Sequence, residues 1–167
     1  MGTTTRAARR EDLPRLTEIY NHYVLDSAAT FDREPKTLGQ RAEWFAQFAE
    51  AGRYRLIVAE VDGAVLGYAG STRFRMKPGY DTTVETSIYC APEAVGQGVG
   101  ARLYGGLFDV LAGENIHRCV AGFVPPNPAS AALHARFGFK VVGTFTEQGY
   151  KFGRYWDVCW LERPLMV

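Results

Sequence analysis

Three alternating glycines lie where a predicted strand turns into a predicted helix, in the segment ETSIYCAPEAVGQGVGARLYGGLFDVL. Gly96, Gly98 and Gly100 let the backbone approach a ligand closely, and the first amides of a helix have no partner inside it. These amides also lie at the positive end of the helix dipole, which favours a bound phosphate or pyrophosphate. The spacing therefore predicts an anionic cofactor, and a tight turn that needs only positive φ is the alternative.

Two phosphate-binding motifs do not fit this segment. A dinucleotide motif needs Gly-x-Gly-x-x-Gly after the first strand and an acidic residue about 20 positions later. Here a Gly-x-Gly-x-Gly lies in mid-chain, and Glu114 follows too early. The P-loop needs a lysine that is missing from this segment. The residues alone therefore leave open which phosphate ligand binds.

A histidine lies in the segment NPASAALHARFGF, residues 127–139. Asn127 is a good N-cap for a helix, and Gly138 suits the position after its last turn. Ser130 and His134 share one face of this helix at i and i+4. Such a histidine either transfers protons or is bonded to the backbone as a structural residue.

A carboxylate lies within the predicted strand TTVETSIYC. The period of two places Glu85, Ser87 and Tyr89 on one face of the strand and the residues between them on the other. A glutamate in this position is either a general base or a partner in a surface or cross-strand salt bridge.

The composition argues against several classes of protein. A chain of 167 residues that is 47% hydrophobic can form one compact domain over residues 1–167. The net charge is +1 with scattered cations, unlike a nucleic-acid surface. No signal core or span of roughly 20 apolar residues is visible, so we expect a cytoplasmic protein with no membrane partner. Cys90, Cys119 and Cys159 show neither disulfide nor zinc-site spacing, so we expect no metal.

The elements that position these groups follow from hydrophobic periodicity and turn signals. Helices are predicted after Asp12, a possible N-cap, and after Thr37, whose spacing to Gln40 matches a capping box. Asp62 and Gly63 separate two alternating runs and predict a tight hairpin. The predicted strands are RLIVAEV, AVLGYAG, TTVETSIYC, HRCVAGFV, KVVGTFT and YWDVCWLE. This order predicts a mixed sheet with helices on its faces, an α/β sandwich in the broad sense.

Five stretches of the chain resemble the GNAT superfamily of acyl-CoA N-acyltransferases, and within it the phosphinothricin and methionine sulfoximine or sulfone acetyltransferase group. The superfamily's pyrophosphate motif, Gln/Arg-x-x-Gly-x-Gly/Ala, falls on residues 95–100, with Val95 where the motif has Gln or Arg. The other stretches are IYNHYVLDSAATFDREP, YDTTVETSIYC, NPASAALHARFGF and GYKFGRYWDVCWLERPL. Together they cover most of the chain.

The resemblance implies a mixed, mostly antiparallel sheet with helices on both faces and a splayed strand pair that holds acetyl-CoA. It places the pyrophosphate on the glycine segment and the pantetheine arm beside the end of the preceding strand. The valine at the motif's first position removes a side-chain contact to phosphate, which predicts weaker cofactor binding. The residues assigned to acetyl-CoA are Ile88, Tyr89, Cys90, Val95, Gly96, Gln97, Gly98, Val99, Gly100, Ala101, Asn127 and Ser130. For the asparagine, helix capping alone is the alternative.

Acetyl transfer to an amine requires a base, because an ammonium ion cannot attack a thioester. Glu85 matches the family's base, and a partly apolar pocket would raise its pKa toward a useful range. His134 matches the histidine that the narrower group has where much of the superfamily has tyrosine, which implies that it protonates the leaving thiolate. Cys90 is the candidate for a covalent route, but its neighbours supply no evident base. We therefore expect direct attack by the amine in a ternary complex.

The acceptor is expected to bind at RFRMKPGYDTTVETS, where three cations alternate and can face a carboxylate or a tetrahedral oxyanion-like group. A solvated hairpin is the alternative use of these cations. Lys77 stands where the group often has Arg, which favours a sulfone or sulfoximine over phosphinothricin. The residues assigned to the acceptor are Phe31, Arg73, Arg75, Met76, Lys77, Tyr80, Glu85, Thr86 and Ser87.

These features predict an acetyl-CoA-dependent N-acetyltransferase that acts on the α-amine of a small amino-acid analogue, such as methionine sulfone, methionine sulfoximine or phosphinothricin. Two alternatives stay open, namely a protein N-acetyltransferase with an open acceptor groove and a noncatalytic acyl-CoA-binding sensor. Glu85 placed away from the thioester would favour the sensor. The aromatic C-terminal strand and the resemblance favour a homodimer, and no nucleic-acid partner is expected.

Overall fold

The computed structural model describes residues 2–165, in which seven strands form one sheet in the order β1-β2-β3-β4-β5-β7-β6. The predicted domain also includes residues 1, 166 and 167, which lie outside the described residues. The strands are β1 (Thr4–Ala7), β2 (Leu56–Val61), β3 (Ala64–Arg73), β4 (Thr83–Cys90), β5 (Arg118–Phe123), β6 (Lys140–Lys151) and β7 (Arg154–Pro164). The helices are α1 (Leu13–Asp26), α2 (Leu38–Phe45), α3 (Val99–Leu111) and α4 (Pro128–Arg136).

The sheet is mixed and mostly antiparallel, as predicted. β4 and β5 pair in parallel, and the other neighbouring strands pair antiparallel. Each strand and helix predicted from the sequence is present, and β1 is an additional strand. β6 extends beyond the predicted KVVGTFT because its pairing with β7 is interrupted between Phe145 and Gly149 and then resumes. Among α1 to α4, none combines the length and apolar character needed to cross a membrane.

Two local sequence signals are confirmed by the backbone. Asp62 and Gly63 both have positive φ, 50° and 82°, as the turn between β2 and β3 requires. The Thr37 hydroxyl accepts from the Gln40 amide at 3.2 Å, and the Gln40 side chain accepts from the Thr37 amide at 2.9 Å. This reciprocal pair is the predicted capping box at the start of α2.

The predicted capping of α1 by the Asp12 side chain is wrong. Residues 10–12 form a short 3-10 turn ahead of α1, so Asp12 already has a helical backbone and its carboxylate points back along the chain. It accepts from the Arg9 amide at 2.7 Å and forms an ion pair with Arg6 of β1 at 2.7 Å. The carboxylate therefore joins β1 to the start of the helix.

The helices cover both faces of the sheet, and β4 shows which helices lie on which face. The Tyr89 ring lies 5.3 Å from the rings of Tyr20 and Tyr23, both on α1. Thr86, on the opposite face, places its hydroxyl 3.5 Å from the Tyr104 hydroxyl of α3. This confirms the predicted alternation along β4.

β4 and β5 separate after a short stretch of pairing. Residues 83–85 of β4 pair with residues 118–120 of β5. Beyond that point β4 stays paired with β3 as far as Cys90, whereas β5 stays paired with β7 as far as Phe123. A gap therefore opens between the two strands, and Glu85 lies at its apex.

α3 contacts β1 closely at Gly106, which accounts for a glycine inside a helix. A Cβ on Gly106 would lie 2.7 Å from the Thr5 hydroxyl oxygen and 3.1 Å from a methyl carbon of Ile57. A Cβ on the neighbouring Gly105 would meet no atom within 4 Å. Gly106 therefore permits close packing of α3 against β1, and nothing in the structure explains Gly105.

We expect opposite effects when these two glycines are replaced by alanine. Gly105→Ala should raise the free energy of unfolding by up to about 1 kcal/mol, because alanine is the better helix former. In Gly106→Ala the overpacking against Thr5 should outweigh the same gain in helix propensity, so that the net free energy of unfolding falls by about 1 to 3 kcal/mol. Urea unfolding of the two variants measures both changes, and equal stabilisation would contradict the close contact.

Candidate active site

Two clefts meet at the apex of the gap between β4 and β5. The larger, with a volume of about 820 Å³, follows the gap toward the start of α3. The smaller, about 390 Å³, lies between β4 and the residues of α1 and α2. Glu85, Ser87 and Tyr89 line both clefts. One face of β4 therefore borders both spaces.

The larger cleft brings together nearly all the residues predicted to bind acetyl-CoA. Gln97 is the exception, because its side chain turns away and donates to the Glu93 carbonyl at 2.6 Å. Thr86 and His134 also border this cleft. The predicted cofactor residues that line it are Ile88, Tyr89, Cys90, Val95, Gly96, Gly98, Val99, Gly100, Ala101, Asn127 and Ser130.

The glycine segment has the geometry of an anion site. Gly96 and Gly98 have positive φ, 82° and 77°, and a Cβ on either would meet no atom within 4 Å. The Arg102 amide donates to the Gly98 carbonyl at 3.2 Å, so the amides of the preceding first turn have no partner inside the helix. Val95 is 61% exposed beside them. Exposed backbone donors at a helix N-terminus fit a diphosphate.

Gly100 also has a packing role at the start of α3. A Cβ there would lie 3.2 Å from a methyl carbon of Leu133 on α4 and 3.6 Å from one of Ile88 on β4. The absence of a side chain therefore allows α3 to start close to both elements.

His134 is buried between α4 and α3, with an exposed fraction of 2%. Its Nδ1 lies 2.7 Å from the Ser130 carbonyl oxygen, and its Nε2 lies 2.8 Å from the Tyr104 hydroxyl. A carbonyl oxygen can only accept, so Nδ1 carries the proton and Nε2 accepts from the tyrosine. The Asn127 side chain accepts from the Ser130 amide at 3.0 Å and so caps α4 as predicted.

Burial shifts the pKa of three titratable groups beside the gap. It raises the pKa of Glu85, and the nearby charge of Arg75 opposes this. It lowers the pKa of His134, opposed by the hydrogen bond to Ser130. It raises the pKa of Cys90 to about 11, which keeps this thiol protonated at neutral pH and unsuited to attack. Within residues 2–165, no three His, Cys, Asp or Glu side chains are grouped so that they could hold a metal ion.

Of the residues predicted to bind the acceptor, Glu85 and Ser87 line the smaller cleft and Thr86 lines the larger one. The others line neither. Phe31 packs its ring against Gly149, and Met76 is 79% exposed.

The predicted cations line neither cleft and have partners of their own or are exposed. Arg73 donates to the Tyr54 hydroxyl at 3.3 Å, and Arg75 stacks over the Phe74 ring at 4.9 Å. Tyr80 packs against the same ring, with 6.0 Å between centroids, and Lys77 is exposed. Of the three cations, Arg75 is the one whose charge affects the pKa of the carboxylate at the apex.

The smaller cleft is lined mostly by residues that no motif in the sequence marked as functional. These residues come from α1, α2, β3 and the loop between the two helices. They are Tyr20, Asp32, Lys36, Gln40, Arg41, Trp44, Tyr68 and Thr72. One signal was present in the sequence. Arg41 falls on the helical stripe of Trp44, Phe45 and Phe48, so the period places a cation on the apolar face of α2.

Known proteins resemble this chain over nearly its whole length. The family described as Acetyltransferase (GNAT) domain matches residues 5–160. A Streptomyces coelicolor phosphinothricin N-acetyltransferase is 54% identical over 162 residues, 96% of this chain and 95% of the relative. A Pseudomonas paraeruginosa L-methionine sulfoximine/L-methionine sulfone acetyltransferase is 34% identical over 165 residues, 99% of this chain and 96% of the relative. The structure of a Sinorhizobium meliloti phosphinothricin acetyltransferase with acetyl-CoA has a TM-score of 0.92 and 35% identity, covering 98% of this chain and 89% of that one.

A side chain at Gly98 should block the anion site, and the chain offers a matched control. Gly98→Val should abolish binding of coenzyme A, measured by calorimetry, because the valine would cover the donors of the glycine segment. Gly113 has a similar φ of 83° and equally open surroundings, but it lines neither cleft. Gly113→Val should therefore carry the same backbone strain and keep its affinity. Unchanged affinity in a folded Gly98→Val protein would contradict the anion site.

Proposed function

The chain belongs to the GNAT family of acetyltransferases, and from this we propose that it transfers acetyl from acetyl-CoA to the α-amine of a small amino-acid analogue. The relatives named for phosphinothricin and for methionine sulfoximine or sulfone support this class of acceptor. The observation that carries the proposal is the position of Glu85, which borders both clefts where β4 and β5 separate. A carboxylate at that point can accept a proton from an amine in the smaller cleft while a thioester lies next to that amine in the larger cleft.

In this proposal the larger cleft holds acetyl-CoA, which supplies an activated thioester when bound. The amides at the start of α3 face its pyrophosphate. The edge of β4 that β5 leaves unpaired, around residues 88–90, would pair with the amides of the pantetheine arm as an added strand would, up to the Cys90 carbonyl, which accepts from the Tyr23 hydroxyl at 2.6 Å. A backbone N–H of β4 just beyond the apex would polarise the thioester carbonyl within reach of an amine at Glu85.

Glu85 is the proposed general base. The incoming amine is protonated at neutral pH, so a proton must leave before attack, either directly to the carboxylate or through a water. Burial raises the pKa of Glu85, and this makes the carboxylate a stronger base than one in water. Arg75 is close enough to oppose that shift, and we assign it to the α-carboxylate, which is bonded to the same carbon as the amine.

His134 is the proposed donor of a proton to the leaving sulfur. Its neutral ring holds its proton on Nδ1, toward the Ser130 carbonyl, so donation requires the doubly protonated ring. In that form Nε2–H would pass its proton to the Tyr104 hydroxyl, which borders the larger cleft, while the hydroxyl passes its own proton to the sulfur. Burial lowers the pKa of His134, so the doubly protonated ring is the minor form at neutral pH, and it is a stronger acid than a thiol. Tyr104 orients the ring through the hydrogen bond to Nε2.

The two alternative functions fit the site less well. A noncatalytic sensor does not need a buried carboxylate where the two clefts meet, which is where Glu85 lies. A protein acetyltransferase needs a groove for an extended chain, whereas the smaller cleft has a volume of about 390 Å³ and is lined by charged and aromatic side chains. Both features favour a small polar acceptor.

We propose a single acetyltransferase domain over residues 1–167 that acts in the cytoplasm as a homodimer. The three cysteines are free thiols, as is typical of proteins in a reducing compartment. The β6–β7 hairpin exposes a set of large apolar side chains that a second copy would bury. They are Val141, Val142, Phe145, Tyr150, Phe152 and Tyr155.

Replacing the proposed base should reduce catalysis and leave cofactor binding intact. Glu85→Gln should lower kcat by about 100-fold or more with little change in the Kd of acetyl-CoA. Since burial raises the pKa of Glu85, the wild-type kcat/KM should rise as pH increases through that raised pKa, and this step should vanish in the variant. Glu43→Gln, on the exposed face of α2, is the control. A wild-type rate in Glu85→Gln would refute the assignment.

The class of acceptor can be determined by comparing kcat/KM over a panel of amine substrates. We expect higher kcat/KM for methionine sulfone, methionine sulfoximine and phosphinothricin than for N-terminal peptides or simple alkylamines. Polar groups of the amino-acid analogue bind away from the reacting amine and help to orient it. Product formation with acetyl-CoA gives the ranking. A peptide preference of about tenfold or more, equivalent to about 1.4 kcal/mol, would favour the protein-acetyltransferase alternative.

A further inference from the structure

Arg41 is a buried cation at the smaller cleft that the proposed chemistry does not use. Its exposed fraction is 4%. The guanidinium carbon lies 3.5 Å from the ring centroid of Trp44 and 4.5 Å from that of Tyr20. Nη2 donates to the Tyr68 hydroxyl at 3.2 Å. The rings fix the plane of the guanidinium and leave its edge for hydrogen bonds.

The charge of Arg41 is not compensated by the residues around it. In the part of the chain that the structure describes, no carboxylate lies within salt-bridge distance of this guanidinium, and Nε is buried without a hydrogen-bond partner. Asp32 lines the same cleft, but it is paired with Lys36 at 2.9 Å and accepts from the Tyr20 hydroxyl at 2.6 Å. A buried cation without a counter-ion is costly, so a ligand that brings oxygen atoms or negative charge would be stabilised there.

Arg41 and Glu85 lie toward opposite ends of the smaller cleft. Arg41 bonds to Tyr68, which pairs with Tyr89 in the sheet, whereas Glu85 pairs with Thr72. The two pairs are four residue steps apart along the strand, or about 13 Å along the backbone. The side chains line the cleft from both ends, which shortens the distance that a ligand must span.

We propose that Arg41 binds the oxygen-bearing end of the acceptor's side chain, a tetrahedral group such as a phosphinate, sulfone or sulfoximine. The orientation rests on the proposed function, which places the amine at Glu85. The α-carboxylate stays near Glu85 because it shares a carbon with the amine, so the far end of the side chain is the part that reaches Arg41. The N–H edge of a guanidinium matches the oxygens of a tetrahedral group.

Arg41 thereby becomes a specificity residue. An acceptor with an apolar side chain leaves the buried N–H groups without a partner, and such a site discriminates strongly against a ligand that lacks the oxygen. A phosphinate carries a full negative charge and gains more than a neutral sulfone beside a buried guanidinium that has no counter-ion within residues 2–165. Arg41 therefore favours phosphinothricin over the sulfone, whereas Lys77 alone predicts the opposite preference.

The test measures binding of three ligands to protein saturated with coenzyme A. Calorimetry with phosphinothricin, methionine sulfone and methionine compares an anionic, a neutral polar and an apolar side chain of similar length. We expect wild-type protein to bind the sulfone at least about tenfold more tightly than methionine, and phosphinothricin more tightly still. Arg41→Met should reduce these ratios to within about threefold.

The control is Arg163→Met. The Arg163 guanidinium also stacks on a ring, 4.2 Å from the Phe108 centroid, and donates to the Phe137 carbonyl at 2.8 Å, but it lines neither cleft. This variant should keep the wild-type ratios. Arg41→Lys keeps the charge without the planar edge and should give intermediate ratios, so it serves if Arg41→Met does not fold.

Two results would overturn the role of Arg41. One is equal affinity of wild-type protein for methionine and methionine sulfone, and the other is an equal loss of affinity for all three ligands in Arg41→Met. Because binding is measured without turnover, the proposed function is tested separately. If the protein binds ligands with side-chain oxygens selectively but acetylates none of the three ligands, the proposed function is refuted and the role of Arg41 is retained.

Discussion

The separation of β4 from β5 is the constraint on which the rest of the site depends. Up to Glu85 and Val120 the two strands satisfy each other's backbone groups, and beyond that point each keeps a partner on its other side only. Buried backbone groups require partners, so the open edge of β4 is complementary to a ligand that carries amides. Thr86 is the first residue of β4 beyond the apex, and its hydroxyl donates to the Val120 carbonyl at 3.4 Å.

Burial then adjusts the acidity of the groups around this gap. The pKa of Glu85 is raised, which makes its carboxylate a better acceptor for the proton of the amine, and the pKa of His134 is lowered, which favours the neutral ring at neutral pH. The same burial leaves Arg41 as an uncompensated cation, which favours polar acceptors.

The features that could be predicted from the sequence have local causes. The turn at Gly63, the cap at Thr37 and the positive φ of Gly98 each depend on residues a few positions apart. β1 could not be predicted, because its four residues show no apolar alternation and its pairing with β2 holds it in place. Most of the lining of the smaller cleft was missed for a similar reason. A cation such as Arg41 on an apolar helical face becomes interpretable only when rings from other elements are known to surround it.

The central claim is that the two clefts hold two substrates on either side of one carboxylate. A crystal structure of the protein with coenzyme A and methionine sulfone tests this most directly. The account predicts the pantetheine arm in the gap between β4 and β5, and the amine of the sulfone within hydrogen-bond reach of Glu85, directly or through one water. An amino acid bound away from the smaller cleft, or a pantetheine arm that does not enter the gap, would contradict it.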